Sequence, residues 1–173
     1  MDLTQVEIAG PCRITFGGID LGHTLDGVEV TTDRQTADVL VDRYGDTPVD
    51  KVITGTVLMA KFKLAQWNNR NWDTAFPEGQ NIDTATNDQT GIGTDAGYSL
   101  RADAKQLVIH PLKYASGDLS HDVTIYLAVN TGNVTLPFKV KDQLVIELEL
   151  TALVSEAYGT SRRLGHIGYA ATS

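Results

Sequence analysis

The chain is 173 residues long, 42% hydrophobic and 21% charged, which is enough apolar side chain for one core and a length that suits one domain. Fourteen Lys and Arg stand against 22 Asp and Glu, a formal charge of −8, which argues against a protein that grips a phosphate backbone. No apolar run approaches the roughly 18 residues of a membrane-spanning helix, the acidic start is expected not to be a secretory leader, and the single cysteine, Cys12, suits a reducing cytoplasm.

Alternation of apolar and polar residues is the main signal along the chain. Residues 13–16 read as a short strand ending in the turn pair Gly17-Gly18, and residues 27–31 as the strand that follows. Residues 37–42 read as another, with Ala37, Val39 and Val41 inward and Asp38, Leu40 and Asp42 outward. A long strand over 52–64 places Val52, Leu58, Ala60, Phe62 and Leu64 on one parity, and Gly55 marks a bend or bulge in it. Leu64, Trp67, Trp72, Ala75 and Phe76 then follow a spacing near 3.6, which predicts a helix ended by Pro77 and Gly79. Its two tryptophans are expected to press onto a sheet as core.

Residues 78–98 show no period and are expected to form a long exposed loop. Strands follow at 100–109, at 122–129 and at 143–153. In the last, Leu144, Ile146, Leu148, Leu150 and Ala152 share one face, and Gln143, Glu147, Glu149 and Thr151 the other, with Val145 the exception on the polar face. Residues 159–173 lose the pattern and read as a C-terminal arm, and residues 1–11 as an N-terminal one. The whole predicts a single, mainly β domain with one helix.

Candidate chemistry is thin. His23, His110, His121 and His166 do not pair at metal-ligand spacing, so no metal site and no cofactor is expected. No Gly-x-Ser-x-Gly elbow occurs. Gly91-Ile92-Gly93 fails the dinucleotide fingerprint, and the acids of the polar loop do not match the calcium-loop spacing. Glu147 and Glu149 lie on one strand face, an arrangement that seldom flanks a single scissile bond. No catalytic set emerges, and the chain is expected not to be an enzyme.

The acids are unevenly placed. Residues 1–50 hold ten acids against three bases, so nearly the whole excess lies in the first third. A solvated face, a surface that repels a polyanion and a surface that meets a basic partner all fit this pattern.

Residues 10–64 carry a familiar layout: Gly10-Pro11 before a strand, then Asp20-Leu21-Gly22 with Thr24, then Gly27-Val28. An acidic strand, Tyr44-Gly45-Asp46-Thr47-Pro48-Val49-Asp50 and a long strand with an early glycine follow. This resembles the major tail protein, or tail tube protein, of long-tailed bacteriophages. The chain departs from that pattern at Asp26, where a second glycine is usual before Gly27, and at Arg43, where a neutral polar residue is usual.

The resemblance implies two packed antiparallel sheets, a β-sandwich or partial barrel, with one flanking α-helix. It implies hexameric rings stacked into a hollow tube, in the virion tail, after synthesis in the host cytoplasm. Partners would be further copies of the chain, the tape-measure protein, and tail tip and terminator proteins. Double-stranded DNA would pass without tight binding, and no membrane is involved. Residues Arg43, Tyr44, Gly45, Asp46, Thr47 and Pro48 would form the ring-stacking hairpin.

Asp38, Asp42, Glu147 and Glu149 are then the expected lumen-facing acids, because a channel for DNA must not trap phosphates. The same acids could instead meet Arg43, Lys61 or Arg162 of adjacent subunits. Leu64, Trp67, Trp72 and Phe76 are expected to pack helix to sheet. The arms and the loop are expected to order only in the tube, since ordering costs about 1–2 kcal/mol per residue. Another β-rich phage part, such as a head-decoration or tail-completion protein, is the main alternative. A carbohydrate-binding β-sandwich is a second, and it would need surface aromatics.

Overall fold

The computed structural model describes residues 10–79, 81–84, 87–141, 143–158 and 163–169. Most of the expected N-terminal arm, both ends of the C-terminal one and Arg162 therefore lie outside the described residues.

Ten strands and one helix follow in chain order: β1 (Cys12–Phe16), β2 (Ile19–Asp20), β3 (Thr24–Val39), β4 (Asp50–Leu64), α1 (Asn69–Ala75), β5 (Asn81–Thr84), β6 (Asn87–Thr90), β7 (Lys105–Pro111), β8 (Val123–Asn130), β9 (Ile146–Ala152) and β10 (Gly165–Ile167). Among the described residues the protein is mainly β with a single α-helix, as its alternation predicts. The two packed sheets expected from the resemblance are instead one eight-stranded antiparallel sheet, in the order β2-β1-β7-β8-β9-β4-β3, with β10 added on β8. Buried side chains of β1, β4, β7, β8, β9 and α1 form one cluster, so the sheet curls over a common core without closing into a barrel. Ile14, Leu64, Leu107, Ile125 and Leu150 are fully enclosed, each stabilising by about 1.5–3 kcal/mol on area grounds.

The alternation of β9 is reproduced: Ile146, Leu148, Leu150 and Ala152 are buried while Glu147 and Glu149 face out. β8 is buried on both faces, because Tyr158 stacks on Tyr126 at 3.6 Å between ring centroids and His166 Nδ1 lies 2.9 Å from the Tyr126 hydroxyl. Asn130 at its end is buried. It donates to the Ala75 carbonyl at 2.7 Å and accepts from the Glu149 amide at 3.2 Å, tying α1 to β9.

Four expectations are corrected. The strands expected at 27–31 and 37–42 are one 16-residue strand that ends at Val39, and Asp42 lies in a 3-10 turn, Asp42–Tyr44. The helix begins at Asn69, not near Leu64, because the Asn68 side chain accepts from the Asn71 amide and caps it. Leu64 is the last residue of β4, and Trp67 lies before the helix. Part of the polar loop pairs as β5 and β6. Residues 163–169 are docked, through β10 on β8, rather than a free arm.

The bulge expected at Gly55 is present: Gln35 faces Gly55 and Thr36 faces Ile53, leaving Thr54 as the extra residue. A second irregularity holds Asp26 at φ 63 and Gly27 at φ 81. Glycine enters this left-handed region freely and aspartate tolerates it, so the residue that departs from the tail-tube pattern stands where the backbone favours a glycine.

Candidate functional site

Two long strands make the most conspicuous feature. β3 and β4 pair with each other along nearly their whole lengths, whereas β9 pairs with β4 only from Met59 to Leu64. Beyond Met59 the hairpin carries no other described strand. Val39, Leu40, Val41, Tyr44, Val49, Val52 and Ile53 are exposed there, Ile53 to 59%. Val39 and Val41, expected to face inward, thus face solvent, as does Val52, because the core ends before this part of the hairpin is reached.

The end of the hairpin is held by its own backbone. The Tyr44 amide donates to the Val41 carbonyl at 2.9 Å and the Val49 amide to the Val39 carbonyl at 2.9 Å. Gly45, at φ 59 and ψ −133, makes the turn after Tyr44 in a region open to little else. Arg43 sits over the ring of Tyr44, 6.0 Å from its centroid. The expected stacking residues Arg43 to Pro48 therefore do occupy the connection between two strands.

The four expected lumen acids fall in two places. Glu147 and Glu149 sit in the body of the sheet, directly across from Lys63 and Lys61 on β4. Glu149 meets Lys61 at 3.0 Å, and Glu147 and Asp26 meet Lys63 at 3.4 and 3.3 Å. The Asp26 carboxylate, then Glu147, hold the Lys63 ammonium above its usual pKa by hydrogen bonding and charge. These groups, with Glu29 and Asn133, line an open groove of about 420 Å³. Asp38 and Asp42 lie at the far end of the hairpin, where Asp38 pairs with Lys51 at 2.6 Å.

The helix-packing residues also divide. Trp72 is buried and Phe76 packs against the core. Trp67, expected in that core, is 56% exposed. It meets Trp72 edge-on at 4.9 Å and Phe138 at 5.9 Å between centroids, and Phe138 is itself 74% exposed. The spacing near 3.6 failed here because the Asn68 cap starts the helix after Trp67, which frees its ring from the helical face.

Two buried groups escaped sequence reasoning. His110 at the end of β7 and Asp122 before β8 are joined at 2.6 Å and almost wholly enclosed. They are 12 residues apart, and no local pattern marks the pair. Among the described residues, no group of three or more His, Cys, Asp or Glu side chains is arranged to hold a metal.

No family model and no curated protein matches the chain.

Proposed function

We propose that this chain is a structural virion protein of the tail-tube type, which polymerises as stacked hexameric rings into a hollow conduit for DNA. The observation that carries this reading is the β3–β4 hairpin, half of which projects beyond the core with seven large apolar side chains exposed. A long apolar hairpin with an open edge invites association unless a partner covers it. Heterologous contacts between identical copies close around a ring and stay open along an axis, which covers both the hairpin and the outer edge of β3. The resemblance of residues 10–64 to tail tube proteins points the same way.

The charged face suits passage of a polyanion. Lys61 and Lys63 are each covered by a carboxylate, and Asp26, Glu29, Glu147 and Glu149 outnumber them. Such a face, whose two lysines are each paired with a carboxylate, gives DNA phosphates weak attraction and little reason to release counterions.

Negative-stain imaging of the purified protein at rising concentration tests the reading. Long hollow tubes are expected. Trimers or single rings would instead favour a head-decoration or tail-completion role, and a monomer at every concentration would defeat both. Reversing Glu147 and Glu149 to lysine is expected to leave tubes intact while impairing DNA delivery by particles built from the variant.

A further inference from the structure

The face of β3 and β4 that packs on the core continues past it with a different chemistry. Ala60 and Phe62 are buried on that face, and Leu58 packs at the margin of the core. Thr32 stands across from Leu58, and Arg34 across from Thr56. The Thr54 bulge follows, and Ile53, Thr54, Gly55 and Thr56 all line one open groove of about 890 Å³. A regular strand presents every second residue to one side, so the bulge is what turns consecutive residues toward the groove.

Much of the remaining lining comes from Val154 and residues 163–165. The backbone of Arg163 is fixed there, because its carbonyl accepts from the Ser155 amide at 2.8 Å. Arg34 and Arg163 thus reach one groove from two elements that no described strand pairing joins. A third guanidinium, that of Arg101, donates to the Val154 carbonyl at 3.0 Å. None of these three arginines makes an ion pair among the described residues, whereas Lys51, Lys61 and Lys63 each meet a carboxylate. No described carboxylate lines the groove, in a chain whose formal charge is −8.

We propose that this groove is an oxyanion site, in which Arg34 and Arg163 together bind a phosphate-class anion and the hydroxyls of Thr32, Thr54 and Thr56 complete its hydrogen bonding. Guanidinium forks match the oxygens of such anions, and charge-assisted hydrogen bonds are the strong ones. Two like charges that share a groove with no counter-charge repel, and an anion held by both relieves that cost. The bound anion ties β3 to the segment that enters β10. The site goes beyond the tube reading and does not depend on assembly. It lies on the core side of the two long strands, away from the face where Lys61 meets Glu149.

Titration of the full chain with inorganic phosphate, followed through the arginine Nε–Hε NMR signals at constant ionic strength, tests it. The Arg34 and Arg163 signals are expected to move together and saturate, and chloride at the same ionic strength is expected to move neither. Both side chains are exposed, so Arg34→Gln and Arg163→Gln are expected to keep the wild-type circular dichroism. Each is expected to weaken phosphate binding about tenfold, the worth of one charge-assisted hydrogen bond. Arg13→Gln, which removes an equal charge from β1, is expected to change it less than about twofold, because a distant exposed charge is screened.

Shifts that do not saturate, or an affinity undiminished in either glutamine variant, would overturn the proposal. Equal weakening by Arg13→Gln would also overturn it, since net charge rather than the groove would then govern binding. A short DNA duplex is the further arm. If the duplex moves the same two signals at lower concentration than phosphate does, the groove belongs to nucleic acid and the small-anion site is overturned. None of these outcomes depends on whether the chain forms tubes, so the proposal and the tube reading stand or fall separately.

Discussion

Asp118 shows how single groups are set by their neighbours. Its carboxylate accepts from the Ser120 hydroxyl at 2.6 Å, the Ser120 amide at 3.1 Å and the Tyr169 hydroxyl at 3.3 Å. The Ser120 hydroxyl is the largest cause of a pKa held below the usual carboxylate value. A depressed folded-state pKa contributes stability that is present above the unfolded value and lost as pH falls through the folded one. Ser120→Ala is expected to move the Asp118 titration upward, which carboxyl NMR would read directly. Asp26 gives a second test, because its backbone is left-handed. Asp26→Val is expected to cost about 1–2 kcal/mol in urea unfolding, whereas Asp26→Gly is expected to stay within about 0.5 kcal/mol of the wild type. Equal losses from both would show that the side chain, not the backbone, matters there.

Elements are held by a few buried polar ties and close approaches. Asn130 satisfies the carbonyl at the end of α1 and an amide of β9 together. Asn130→Ala is expected to cost about 1–3 kcal/mol, because the buried Ala75 carbonyl and the half-buried Glu149 amide lose their partner. Chemical unfolding measures it. β10 depends on close packing: a Cβ on Gly165 would meet the Thr124 carbonyl oxygen at 2.3 Å. Gly165→Ala is therefore expected to lift β10 from β8. The Tyr126 amide, which donates to the Leu164 carbonyl at 3.1 Å, should then exchange faster with solvent. Unchanged protection at Tyr126 would show that the strand tolerates the methyl group by shifting as a whole.

For the whole molecule, the division between core and hairpin is the feature with consequences. None of the core side chains lies between Leu40 and Val49. Replacing residues 40–49 with an Asn-Gly turn is expected to leave the unfolding midpoint nearly unchanged while abolishing assembly. Sedimentation velocity beside urea unfolding separates the two effects, and tubes formed by the shortened chain would remove the hairpin from the assembly mechanism.

Patterns local to the chain were enough to specify several things. They include the β9 faces, the β1–β2 turn, the Thr54–Gly55 bulge, the end of the helix near Phe76 and the acid excess. Each is legible because alternation, glycine and charge act between residues a few positions apart. Only tertiary structure decided the rest. One curled sheet stands where two were expected, since the β9–β4 and β1–β7 pairings join segments far apart in sequence. Val39 and Val41 alternate like core residues yet face solvent, because alternation records which residues share a face and not whether anything covers it. Trp67 left its helix because one asparagine cap outweighed the apolar spacing. His110 found Asp122, and Lys61 found Glu149, because the fold brought two distant backbones into register.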